Sequence, residues 1–184
     1  IILVLAWSMS EISRELHTAD FLIASLGETI PASALPAAIF VLAAFTAFST
    51  GSSWGAMGIL LPLVLPLCWA IMGSQSLTSG GDYAVLYASV SGVLAGAVWG
   101  DHCSPISDTT VMSSLSAGCD HIEHVRTQLP YAVLAGAAAL LFGTIPTSLG
   151  LPWWVGMLLA ATVTALGLRL LGQPVEDYRP AGDA

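Results

Sequence analysis

The 184-residue sequence contains no lysine, and its cationic side chains are Arg14, Arg126, Arg169 and Arg179 alone. With twelve acidic residues the formal net charge is -8. That balance excludes a nucleic-acid partner, which needs clustered Lys or Arg to displace phosphate counterions. Charge of either sign is scarce: 9% of residues are charged, against roughly a quarter in soluble domains. Cysteine is scarce too. Cys68, Cys103 and Cys119 are odd in number and form no CxxC pair, which argues against a disulfide framework or a zinc ribbon. The start lacks the basic leader and small-residue cleavage site of a secretory signal.

What remains is apolar. Hydrophobic residues make up 55% of the chain, and the mean hydropathy is +0.81. The expected class is an all-α membrane protein in a lipid bilayer. The opening run "IILVLAW" begins with Ile and is shorter than the ~20 residues that cross a bilayer, so the chain is expected to be a fragment. "MSEISRELHTADFLIASLGETIP" mixes acids with Leu, Ile and Phe. It reads either as a polar turn and a helix over about 16–27, or as one surface-lying amphipathic helix.

Two apolar arms follow, 35–48 and 56–73, joined by the polar tip "STGSSWG". "SQSLTSGGD" (74–82) reads as a loop, and 83–100 as a helix with small residues at packing positions. Then comes "GDHCSPISDTT" (100–110). Ser104 is expected to cap a second half-helix with Pro105 at its first position and Gly118 as its stop, so that Ser104, Ser107 and Asp108 share a face. A loop is expected at 119–129, helices at 130–145 and 153–171, and a disordered polar tail at 172–184. All four arginines fall on the cytoplasmic side if 16–30 and 83–117 each cross once and 35–73 enters and returns as a re-entrant hairpin. A full crossing by 35–73 with an interfacial 16–30 satisfies the same count.

An aspartate inside a membrane helix costs roughly 2.5–3.5 kcal/mol, so Asp101 and Asp108 point to function. Non-helical backbone at that depth survives only inside protein or around a cavity. At such a break, freed carbonyls with carboxylate and hydroxyl oxygens form a hard-oxygen cage for a small cation. Gly51, Gly55, Gly96 and Gly100 allow the backbone to bend or pack closely there. The plainer reading, a watery loop with Asp and Ser as caps, weighs about evenly on these residues alone. The short arm after Pro105 and the second polar tip at 49–55 favour a site. The tip hydroxyls Ser49, Thr50, Ser52 and Ser53 are, singly, ordinary packing groups. His121, Glu123 and His124 read as solvated loop residues, with pH sensing by His121 and His124 the lesser alternative. Trp7, Trp69, Trp153 and Trp154 read as interfacial belt, while Trp54 and Trp99 abut the polar tips.

"FSTGSSWGAMGILLPLVLPL" (48–67) and "SGVLAGAVWGDHCSPISDTTVMSSLSAGCDHIEHVRTQLPYA" (91–132) resemble the NhaC-type sodium/proton antiporter family, with "LAWSMSEISRELHTADFL" (5–22) similar to its more variable upstream segment. The resemblance implies that 1–171 is the C-terminal half of an inverted-repeat secondary transporter, with a re-entrant hairpin and a broken transmembrane helix meeting the missing N-terminal half at mid-membrane. It implies exchange of Na+ and H+ across a prokaryotic inner membrane. Some members of that family carry malate inward and lactate outward, so small organic acids are further expected substrates. A homodimer is compatible with this reading, and no cofactor is expected.

One carboxylate that holds either a proton or Na+ gives antiport by competition, because desolvation favours the neutral acid and a bound cation favours the ion. Asp108 is the first expected exchange site and Asp101 the second. Ser104, Ser107, Thr109 and the tip residues Ser49, Thr50, Ser52 and Ser53 are expected to be ligands or cavity lining. The rival readings are a sodium-coupled carrier of dicarboxylates or amino acids and an intramembrane enzyme using both aspartates as a general acid and base.

Overall fold

The computed structural model describes residues 4, 8, 11–12, 15–26, 31–75 and 83–172. Arg14, Arg179, Trp7, most of the expected 74–82 loop and the tail beyond 172 lie outside them. Among the described residues the regular elements are all helical. They are α1 (Thr18–Leu26), α2 (Leu35–Thr50) behind a 3-10 turn at Ala32–Ala34, α3 (Ser53–Ser74), α4 (Ala84–Cys103), α5 (Asp108–Ala117), α6 (His121–Ala138) and α7 (Trp153–Leu171). A π-helical stretch, Ala139–Thr144, and a last turn, Ile145–Ser148, prolong α6. Among the described residues, five helical runs are long and apolar enough to cross a membrane: Ala32–Thr50, Ser53–Ser74, Ala84–Cys103, His121–Ser148 and Trp153–Leu170. The first of the two apolar arms, short at 35–48 in sequence, reaches that length because helix extends to both sides of it.

The core is the contact of α2, α3 and α4, built from Ile39, Ala43 and Ala47, Leu60, Val64 and Ile71, and Val93 and Ala97. α2 and α4 touch almost backbone to backbone. A Cβ on Gly92 would lie 2.8 Å from the Pro36 carbonyl oxygen, and one on Gly96 or Gly100 would overlap the carbonyl of Phe40 or Ala44. These three glycines recur every fourth residue and so form one stripe, the small-residue device by which helices associate where lipid removes the hydrophobic drive. Pro62 and Pro66 lie inside α3 without ending it, as membrane helices permit. α7 is mostly exposed, and its Trp153 and Trp154 are open to the surroundings.

α2 ends where Gly51 takes a left-handed φ of 66° and returns its N–H to the Ala47 carbonyl. Ser52 then adopts extended backbone and caps α3, its hydroxyl accepting from the Gly55 N–H at 3.2 Å. The expected polar tip is thus compressed to two residues, Gly51 and Ser52, with Ser49 and Thr50 in the last turn of one helix and Ser53 in the first of the next.

Three local expectations are corrected. α4 runs past Gly100 to Cys103, so Asp101 is helical, and α5 begins at Asp108 behind Ser107 as N-cap. Ser104 is instead the C-cap of α4. Ser104, Ser107 and Asp108 therefore share no helical face. Residues 121–129 are helix rather than loop. There Asp120 caps α6 by accepting from the Glu123 N–H at 3.0 Å, and the D-x-x-E spacing resembles a capping box, so polarity marked a helix start.

Candidate functional site

The crossover from α4 to α5 is the polar centre of the molecule. Asp101, in the last turn of α4, is only 5% exposed, and Ser104, Ser107, Thr110 and Ser114 are buried beside it in sequence. Extended backbone at Ser104 and Ser107 turns the chain so that α5 starts next to the end of α4. The Ser107 hydroxyl meets Asp101 Oδ1 at 2.8 Å and the Thr109 hydroxyl meets Oδ2 at 3.2 Å. The two hydroxyls are themselves 2.7 Å apart.

Three oxygen–oxygen contacts need three protons. With Asp101 ionised, Ser107 and Thr109 supply two, since each hydroxyl carries one. A proton on the carboxyl closes the ring: Asp101 donates to Thr109, Thr109 to Ser107, and Ser107 back to Asp101. A small cation bound among the same oxygens relieves the shortage differently, because all of them then act as lone-pair donors.

Asp108 stands in another environment. It is exposed at the first position of α5, where the helix dipole favours a carboxylate, and its Oδ1 accepts from the Thr109 N–H at 2.8 Å. Asp101 and Asp108 are linked through Thr109, whose side chain serves one and whose backbone serves the other.

The α2–α3 turn touches this crossover through its backbone. Ser104 Oγ donates to the Phe48 carbonyl at 2.7 Å, satisfying one of the last carbonyls of α2. A Cβ on Gly51 would lie 2.6 Å from the Ile106 carbonyl oxygen. Among the described residues, none of the tip hydroxyls of Ser49, Thr50, Ser52 and Ser53 bonds to either aspartate; Thr50 Oγ1 bonds back to the Thr46 carbonyl at 2.9 Å. Ser104→Ala removes this bond and the longer one that the same hydroxyl accepts from the Ile106 N–H at 3.4 Å, and is expected to cost about 1 kcal/mol or somewhat more, seen as a lower thermal midpoint of the purified protein with unchanged helix content.

Sequence reasoning overlooked Ser114. Its hydroxyl lies 2.9 Å from the Thr110 carbonyl, 3.1 Å from His121 Nδ1 and 2.7 Å from His124 Nδ1, while His121 Nε2 lies 2.7 Å from the Pro105 carbonyl. The histidines are therefore half-buried helix residues joined to α5 rather than solvated loop residues. The two carbonyls can only accept. His121 Nε2–H therefore donates to the Pro105 carbonyl, and the Ser114 hydroxyl, which carries one proton, is shared among the Thr110 carbonyl and the two Nδ1 atoms. The pattern of Ser114 seven and ten residues ahead of two histidines was visible in sequence, but the turn at Gly118 that folds α6 back onto α5 was needed to read it.

An apolar cavity of about 430 Å³ adjoins Gly100 and Cys103, walled by Phe40, Phe48, Trp99 and Val133.

A family model described as "Na+/H+ antiporter family" matches residues 1–145. An uncharacterised protein of Haemophilus influenzae is 43% identical over 137 residues, 74% of this chain and 24% of that protein. An uncharacterised Na(+)/H(+) antiporter of the same organism is 37% identical over 106 residues, 55% of this chain and 20% of its own length. A malate-2H(+)/Na(+)-lactate antiporter of Bacillus subtilis is 28% identical over 109 residues, 59% and 21% respectively. The matched region thus spans about a quarter or less of each of these relatives. No solved structure matches the chain.

Proposed function

The chain belongs to the Na+/H+ antiporter family, and we propose that it forms the C-terminal part of a secondary transporter that exchanges Na+ for H+ at Asp101. The observation that carries this reading is the proton-short ring of Asp101, Ser107 and Thr109. Either a proton or a cation completes it. Loading one displaces the other, and alternate exposure of the ring to the two sides of the membrane converts that competition into antiport.

In this reading α4 and α5 are two halves of one broken transmembrane helix, and α2 and α3 are a re-entrant hairpin whose tip meets the break. The Ser104–Phe48 bond and the Gly51–Ile106 approach support that pairing. The remaining cation ligands come from the other, inverted half of the same transporter, and the tip hydroxyls from Ser49 to Ser53 border the path between the halves. Asp108 stands at the mouth of the ring and hands ions to it through Thr109. The membrane is the inner membrane of a prokaryote, in keeping with the bacterial relatives, and a homodimer is compatible with the exposed face of α7.

The test is proton flux in proteoliposomes holding the full-length transporter, with an imposed sodium gradient, in the presence and absence of malate and lactate. Flux with sodium alone supports Na+/H+ exchange. Flux that requires an organic acid favours the second reading, an organic-acid exchanger coupled to the same ions, to which the likeness to the malate-2H(+)/Na(+)-lactate antiporter points.

The histidine pair is the candidate pH sensor in the same proposal, because His121 and His124 tie α6 to α5 and to the crossover through Ser114 and Pro105. An unchanged pH profile of sodium-driven proton flux in His121→Gln would remove His121 from that role.

A further inference from the structure

Three hydrogen bonds from one stripe of α6 grip the chain on both sides of Asp101. Gln128 Nε2 donates to the His102 carbonyl at 2.8 Å, the Trp99 indole N–H donates to the Ala132 carbonyl at 2.6 Å, and His121 Nε2 reaches the Pro105 carbonyl at 2.7 Å. On α6 the participants are residues 121, 128 and 132, with His124 beside them, and spacings of three and four keep them on one face. On the other side they take hold at 99, 102 and 105, a regular grip along the end of α4 and into the crossover. Gly136 continues the stripe: a Cβ there would overlap the Trp99 ring, so the indole is seated directly on the α6 backbone.

Of these ties, the one from Gln128 has the closest bearing on the carboxylate. His102 is the residue after Asp101, and its carbonyl is in the last turn of α4, where intrahelical donors run out. The Asp101 carbonyl beside it accepts from the Ser104 N–H at 3.0 Å. With both carbonyls held, the terminal turn cannot unwind without breaking a bond to α6. The ring geometry depends on that turn, because Ser107 and Thr109 reach Asp101 from the far side of the crossover at 2.8 and 3.2 Å. A change of a few tenths of an ångström lengthens one contact at the expense of another.

We infer that Gln128 is a positioning residue for the Asp101 carboxylate, fixing the last turn of α4 from α6 so that the ring binds its cation with the right geometry. The inference rests on the antiport reading of Asp101. Gln128 itself touches neither the carboxylate nor the ring hydroxyls, so its effect is on affinity rather than on the exchange chemistry.

The experiment compares wild type, Gln128→Met, Ser107→Ala and the double variant of the full-length transporter in sodium-driven proton flux, with amide hydrogen exchange over 101–107 measured on the same preparations. Methionine keeps the length of the side chain and removes its donor. Gln128→Met is expected to raise the half-saturating sodium concentration roughly fivefold, one hydrogen bond's worth, with the maximal rate per protein retained and amide exchange over 101–107 accelerated. Because both residues act on one ring, the double variant is expected to shift half-saturation by less than the product of the single shifts. A fall in maximal rate with unchanged half-saturation, or a fully multiplicative double variant, overturns the positioning role. A wild type that moves no protons on addition of sodium overturns the antiport reading instead; unchanged exchange over 101–107 in Gln128→Met then overturns the structural tie as well.

Discussion

Asp101→Asn is expected to abolish sodium-driven proton movement, to the level of liposomes without protein, while the variant still accumulates in the membrane. Asparagine supplies permanently what the ring lacks. Its amide donates to Thr109 and its carbonyl accepts from Ser107, so the three contacts that require a proton on Asp101 are made without one. The side chain neither releases a proton nor offers a negative charge to a cation. On the proposed exchange at Asp101, the variant mimics the proton-loaded state and stays in it. Retained folding with lost flux is the signature of that state, and folding is checked by an unchanged or raised thermal midpoint. Asp108→Asn is the discriminating partner experiment. Because Asp108 is exposed and its Thr109 contact is to backbone, that variant is expected to keep exchange with an altered sodium half-saturation. The opposite pattern, flux lost at 108 and kept at 101, would transfer the exchange site to Asp108.

Gly96→Ala and Gly100→Ala are expected to destabilise the fold more than any other single methyl group considered. The added carbon overlaps the carbonyl of Phe40 in the first case and of Ala44 in the second. Overpacking ordinarily costs about 1–3 kcal/mol when side chains can rotate away. Here the obstacle is helix backbone on both sides, so the α2–α4 contact must open along its length. The expected result is a large loss of protein from the membrane fraction and a clearly lowered thermal midpoint in what remains. Gly143→Ala serves as the control. Its Cβ would meet the Ala160 Cβ at 3.8 Å, an ordinary contact, and should change the midpoint little. Equal behaviour of the three variants would show that the glycine stripe is not the seam that holds the core.

The same distinction between backbone and side chain explains what could be read before the fold was known. Composition alone determined the class. A chain with no lysine, 9% charge and long apolar runs cannot cover itself with polar surface and can satisfy its backbone in lipid by forming helices. The positions of α2, α3, α4 and α7 followed from those runs, and the use of Gly96 and Gly100 in close packing followed from their lack of a Cβ. Gly92 completes the stripe and was not singled out, because a glycine four residues from another marks a seam only if a second helix lies there. "GDHCSPISDTT" was recognisable as the polar centre, since two aspartates among apolar helices are costly wherever they sit.

Which of the two aspartates is enclosed was not legible. By sequence Asp108 stands at the start of a helix and Asp101 beside a glycine, but burial is a property of neighbours, and α4 continuing for three residues beyond Gly100 is what draws Asp101 inside. The same holds for α6, whose polar first half looks like a loop until Asp120 caps it and His121, His124 and Gln128 find acceptors and donors on α4, α5 and the crossover. Sequence by itself determined that this is a helical membrane protein with a polar insertion between apolar segments, because hydropathy and backbone satisfaction are local properties. Which carboxylate is enclosed, and which helix bonds to the turn that carries it, only the tertiary structure decided, because hydrogen bonds between distant segments depend on how the helices come together.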